Sequence, residues 1–121
     1  MFATPRDWAK VGQLFLDRGR VNDQQVISAA WLDKMRQPSN LVSKYGYHIW
    51  LQARDDHQPG KYNRSASTPF IAEDTFYLDG ASNQRVYIIP SQDLVIVRIG
   101  EKSKDWDDAV IPNTLVKSLD K

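Results

Sequence analysis

A chain of 121 residues, 41% of them hydrophobic and including four Trp, five Tyr and four Phe, can close a sizeable core, which excludes a disordered segment. Sixteen Lys and Arg nearly cancel fifteen Asp and Glu, and the two signs are interspersed, so no field of one sign is available to hold a nucleic acid or an anionic bilayer. The absence of Cys excludes disulfides, thiolate chemistry and Cys-ligated zinc, and leaves the compartment open. The longest apolar run is about a strand long, far short of a membrane span. The opening "MFATPRDW" carries no basic stretch followed by an apolar core, so no export leader is expected within it.

Thr4 followed by Pro5, with Asp7 three residues after Thr4, predicts a helix start. The hydroxyl can accept from orphan backbone N–H groups, and proline at the first helical position loses no hydrogen bond. Trp8, Val11, Leu14 and Phe15 recur at helical spacing, and Gly19 is placed for a left-handed stop. "VNDQQVI", residues 21–27, reads as a turn with a short extended piece. Ser28 then caps a second helix, Ala29 to Arg36, with Trp31, Leu32 and Met35 on one side and Pro38 ending it. Tyr45 to Gln52 alternates Tyr45, Tyr47, Ile49 and Leu51 against Gly46, His48, Trp50 and Gln52, which predicts a strand with one apolar and one mixed face. Gly46 marks a place where another group approaches closely. Trp50, on the mixed face, is a candidate for lining an acyl or amide pocket and equally for plugging the core.

From Arg54 to Asp74 the chain is polar and without periodicity, a long surface excursion. Asp55, Asp56 and His57 within it are metal-ligand types. Three adjacent residues on an extended segment do not converge on one ion, and no second cluster completes a ligand set, so no metal and no other cofactor is expected. Three extended runs follow, Phe76 to Leu78, Arg85 to Ile89 and Leu94 to Ile99, the last two joined into a hairpin by "PSQD". The last run is apolar on both faces apart from Arg98, the pattern of a central strand covered on each side. A final helix is expected over Trp106 to Leu119, with Pro112 kinking it or starting its second part and Asp107 and Asp108 charging its start. The order helix, helix, strand, long loop, three strands, helix predicts an α+β fold, an antiparallel sheet flanked by helices.

Between the first two of those three runs lies the polar corner "DGASNQ", Asp79 to Gln84. Asp, Gly, Ser and Asn are what any strand-entry bend needs, so the corner reads as a turn or as a working site. A local nucleophile at Ser82 is disfavoured: Gly80-Ala81-Ser82-Asn83-Gln84 lacks the closing glycine of Gly-x-Ser-x-Gly, and no helical pattern follows.

Taken together, "ATPRDWAKVGQLFLDRG", "AAWLDKM", "YGYHIWL" and "GASNQRVYIIPSQDLVIVRIG" resemble, in that order, the C-terminal stretch of the serine β-lactamase-like hydrolases. That superfamily includes class C β-lactamases, DD-peptidases, esterases and 6-aminohexanoate-dimer hydrolases. The resemblance implies that residues 1–121 are one segment of a larger domain that hydrolyses a small-molecule amide or ester through an acyl-enzyme, with a Ser-x-x-Lys helix and a Tyr-x-Asn or Tyr-x-Ser loop upstream. No Tyr-x-Asn or Tyr-x-Ser occurs here, and the one Ser-x-x-Lys, Ser118 to Lys121, lies at a terminus unable to bury its lysine. Relatives close to the 6-aminohexanoate-dimer hydrolases carry Gly-x-x-Gly-Gln at the corner. By that carry-over the Ala81 N–H is the oxyanion-hole donor, with Gly80, Ser82, Asn83 and Trp50 in the substrate pocket. Asn83 departs from the family's glycine; asparagine tolerates a left-handed backbone better than most residues, so the bend can survive. Two rivals stand beside this reading: a binding module that associates with itself or a partner through an exposed sheet edge, and a non-catalytic homologue in which Asn83 marks lost activity.

Overall fold

The computed structural model describes residues 2–52 and 68–120. Helix α1 (Pro5–Leu16) opens as its sequence requires. The Asp7 N–H donates to Thr4 Oγ1 at 3.2 Å, the Thr4 N–H donates back to the Asp7 carboxylate at 3.2 Å, and Pro5 takes the first position. Hydrogen bonds from the Thr4 hydroxyl, then from its amide, hold the Asp7 carboxyl below its usual pKa. The helix ends at Leu16, and the chain leaves it through left-handed Arg18 (φ 53°) and Gly19 (φ +85°), where a Cβ would lie 2.0 Å from the Ile27 carbonyl oxygen, so only glycine fits at 19. Strands β1 (Arg20–Val21) and β2 (Gln24–Gln25) form a small hairpin through Asn22 and Asp23, both left-handed. Helix α2 (Ala29–Met35) is capped by Ser28, whose Oγ accepts from the Trp31 N–H at 3.1 Å.

Strands β3 (Phe76–Gly80), β4 (Gln84–Ile89) and β5 (Leu94–Arg98) form an antiparallel sheet in that spatial order, with Tyr77, Tyr87 and Ile96 in one row and Asp79, Arg85 and Arg98 in another. Successive side chains point to opposite faces, so each face takes its own layer. Helix α1 lies on one face: a Cβ at Gly12 would stand 2.5 Å from Val95 Cγ1 and 3.0 Å from Val86 Cγ1, so the bare glycine brings helix and sheet into direct contact. Phe76, Val86, Ile88 and Ile49 are buried there with Trp8 and Phe15 against them. On the other face Ile89 and Ala72 pack on Val116 of α3 (Val110–Leu119), with Leu94 and Ile96 alongside. The α+β fold expected from the order of elements is the one observed. No helix among the described residues is long and apolar enough to cross a membrane.

Three local expectations are corrected. Tyr45 to Gln52 is a tight hook, not a strand: Tyr45 bridges Trp50, the Gly46 N–H donates to the Ile49 carbonyl at 2.9 Å, and His48 sits in a left-handed turn at φ 59°. Gly46 lets this happen by docking where a Cβ would be 2.2 Å from the Met35 carbonyl oxygen, the close approach the sequence marked. Strand β5 pairs only with β4 among the described strands, so β4 is the central one. Its two-sided apolar pattern reports the layers above and below it rather than its lateral place. The last helix begins at Val110, with Pro112 in its first turn, because the residues before it are turned to other contacts: Asp107 accepts from the Ala109 N–H and from the Thr68 hydroxyl, and Asp108 points into the core. Of the expected surface excursion, residues 53–67, with Asp55, Asp56 and His57, lie outside the described residues. The part described is tied to α3: the Ile71 N–H donates to Asn113 Oδ1 and Asn113 Nδ2 donates to the Pro69 carbonyl, both at 2.9 Å, and Ala72 is buried.

Candidate functional site

The β3–β4 corner is one turn of 3-10 helix, Ala81–Asn83, in which Ser82 (φ 58°) and Asn83 (φ 64°) are left-handed. Asparagine at 83 therefore takes the backbone conformation that glycine takes without strain, and its Oδ1 accepts from the Ser103 N–H at 3.1 Å. Gln84 clamps the far side with both ends of its amide, Nε2 donating to the Gly100 carbonyl at 2.6 Å and Oε1 accepting from the Gly100 N–H at 2.8 Å. Arg98 Nη1 donates to the Ser82 and Asn83 carbonyls at 3.1 and 3.2 Å. The carbonyls of the turn are thus held from outside. At its start, at Gly80, no side chain caps the backbone.

Beneath the corner lies a charged cluster that the sequence reading missed. The Arg85 side chain is 4% exposed and that of Asp108 is 6% exposed. Arg85 Nε donates to Asp108 Oδ1 at 2.7 Å, while Nη1 donates to Asp79 Oδ1 at 2.5 Å and to the Gln84 carbonyl at 2.9 Å. Asp108 also accepts from Trp106 Nε1 at 2.7 Å and from the Tyr77 hydroxyl at 3.0 Å. The guanidinium lies 5.5 Å from the ring centres of both Tyr77 and Trp106, and the Arg98 guanidinium lies 5.1 Å from Trp106. Charge-assisted bonds at every polar atom of Asp108 make this burial tolerable. Burial, then the charge of Asp108, pushes the Tyr77 and Tyr87 phenols well above their usual range. The buried Tyr87 hydroxyl finds no hydrogen-bond partner among the described residues. The one sequence signal for the cluster was an arginine opening the otherwise apolar run "VYII".

A cleft of about 360 Å³ opens beside the corner. Gly80 and Ala81 are on its wall; Phe2, Trp8, Leu78, Val86 and Ile99 make its apolar part, and Asp79, Gln84 and Arg85 border it, with the Asp79 and Arg85 side chains turned to the opposite face of the sheet. Ser82 and Asn83 do not line it; they lie on the turn's outer side, where Arg98 and Ser103 bind them. Trp50 does not line it either. Its backbone bridges Tyr77 through two hydrogen bonds of 2.9 Å, and its ring packs 4.8 Å from that of Tyr45. His48 is exposed on its hook. No Ser, Lys, His or Tyr is among the described residues on the wall, so the wall offers no nucleophile with a base; what it offers is apolar surface and the chain at Gly80 and Ala81. No group of three His, Asp or Glu among the described residues is placed to hold a metal ion.

No family model matches the chain, and no curated protein matches it. Among solved structures, it is similar to a Bacillus anthracis protein provisionally assigned as a 6-aminohexanoate-dimer hydrolase, with a TM-score of 0.57 and 20% sequence identity over 97% of this chain and 27% of that one. The chain thus spans about a quarter of that protein's length. At this identity the likeness is one of fold, an α+β arrangement of antiparallel sheet and flanking helices.

Proposed function

We propose that the chain is the C-terminal portion of a β-lactamase-related serine hydrolase, in which it supplies sheet scaffold and one oxyanion-hole donor, the Ala81 N–H. The observation that carries this reading is the corner itself: a left-handed turn with its carbonyls held by Arg98 and its opening N–H groups uncapped beside a cleft. A preorganised donor of this kind stabilises negative charge as it develops on a carbonyl oxygen during acyl transfer, an effect of roughly 3–4 kcal/mol per donor. The nucleophile and its lysine belong, on this reading, to polypeptide outside this chain. Ser82 is not their substitute, because it lies off the cleft wall.

The chain alone is expected to turn over neither a chromogenic β-lactam nor a p-nitrophenyl ester. Turnover by the pure chain that Ser82→Ala abolishes would sink the proposal. An in-frame upstream extension carrying Ser-x-x-Lys and Tyr-x-Asn or Tyr-x-Ser is expected to restore hydrolysis. In that longer polypeptide Ala81→Pro, which removes the donor, should lower kcat by about 10²–10³.

A second reading rests on a different observation. Strand β5 has one lateral partner among the described strands, yet apart from Arg98 it is apolar on both faces and carries no proline to protect its free edge. Pairing of that edge with a second copy would make the chain a self-associating module. Light scattering over a dilution series separates the two: a doubled mass that halves on dilution supports association, and a constant monomer mass rejects it.

A further inference from the structure

A charged ligand in this cleft finds no counterion among the described residues on its face of the sheet. Leu78 and Val86 turn their side chains to the face that α1 covers, so Asp79 and Arg85, the charged residues among its described lining residues, turn theirs to the opposite face, where they bind each other and Arg85 binds Asp108. The Gln84 amide is used at both ends on Gly100. A ligand carboxylate or ammonium would have to seat itself against Leu78 and Val86 with no counterion on that face. Either would lose its hydration in doing so. What remains for a ligand is the apolar surface of Trp8, Leu78, Val86 and Ile99, and the backbone donor at Ala81. The volume, about 360 Å³, falls at the small end of the ~300–1,000 Å³ typical of small-molecule sites.

We infer that this cleft is an acyl pocket selective for uncharged substrates: it takes the apolar acyl group of a neutral amide or ester, with the carbonyl oxygen at the Ala81 N–H. The position of the carbonyl rests on the function proposed above; the apolar site and its discrimination against charge rest on the cleft alone. Alkyl length and the lack of a counterion on this face would then set specificity, in a part of the molecule whose described residues carry no nucleophile.

The test is a titration of the full chain with hexanamide, hexanoate and hexylamine, followed by backbone amide NMR shifts. Hexanamide is expected to shift the amides of Gly80 and Ala81 and the Trp8 indole saturably, and the two charged probes to bind at least about ten-fold more weakly, the order expected for an uncompensated charge. Ile99→Arg should abolish the hexanamide shifts; Ile99 is half-exposed, so an unchanged melting curve will show that the fold is kept. Equal binding of either charged probe, shifts that survive Ile99→Arg, or no saturable shift up to the solubility limit overturns the acyl pocket. Saturable shifts at Trp8 with Ala81 unmoved overturn the carbonyl placement and, with it, the oxyanion role. Failure of binding alongside an active, extended polypeptide overturns the pocket and leaves the hydrolase reading standing.

Discussion

The two connections of the three-stranded sheet are built from the same parts and end in different states. Each is one turn of 3-10 helix followed by, or containing, left-handed residues: Ala81–Asn83 with Ser82 and Asn83 left-handed, and Pro90–Gln92 closed by Asp93 at φ 49°. In the β4–β5 turn the donors are satisfied. Pro90 has no N–H to leave orphaned, and Asp74 accepts from both the N–H and the hydroxyl of Ser91, at 2.6 and 2.7 Å. In the β3–β4 turn the carbonyls are held by Arg98, whereas the opening N–H groups have only Gly80 before them and a cleft beside them. Turn chemistry alone therefore does not separate a connection from a site; which ends of the turn the surroundings cap and which they leave facing a cleft does.

The largest expected effect comes from the support of the first turn. Arg85→Met leaves the buried Asp108 carboxylate without its cation, at a cost of roughly 3–5 kcal/mol in a urea melt. Amide shifts should move at residues 79–84 and stay in place at 90–93; equal disturbance of both turns would break the contrast between them. Asp74→Ala does the converse, uncapping the second turn for about 1–2 kcal/mol while the first turn keeps its shifts.

Smaller effects come from the two tyrosines that face each other across β3 and β4. Tyr77→Phe removes the hydroxyl that donates to Asp108 and should cost roughly 1–2 kcal/mol, whereas Tyr87→Phe deletes a hydroxyl with no partner among the described residues and should be neutral or slightly stabilising. Both phenols are raised in the folded chain, so above pH 10, the ordinary phenol value, the unfolded chain releases protons that the folded chain keeps. Stability is full below that pH and falls as pH rises past it, and the fall should be shallower in either phenylalanine variant.

Much of this architecture was legible because its causes are local. Thr4, Pro5 and Asp7 start α1 by bonding to one another, Ser28 caps α2 through its own backbone neighbours, and "PSQD" joins β4 to β5 within four residues. The hook at Tyr45 to Gln52 was not legible. Eight alternating residues satisfy a strand and a turn equally well until Gly46 meets the Met35 carbonyl. Asp108 looked like a charge at a helix start because nothing within a helical turn of it names Arg85, 23 residues away, as its partner. At the candidate site, the left-handed bend at Ser82 and Asn83 could be read from residue types, and the donor role proposed for Ala81 came from the family resemblance. The separation of Ala81, on the cleft wall, from Ser82 and Trp50, off it, could not be read.

Periodicity, caps and turn residues, each acting over a few positions, determined on their own that this chain makes an α+β fold with a tight polar corner between two buried strands. Only tertiary contacts decided that the corner borders an apolar cleft and that an arginine held by two aspartates lies under it. The physical reason is range: backbone hydrogen bonds and side-chain periodicity are satisfied by neighbours in sequence, whereas a buried charge must find its counterion wherever the fold brings one within hydrogen-bond distance.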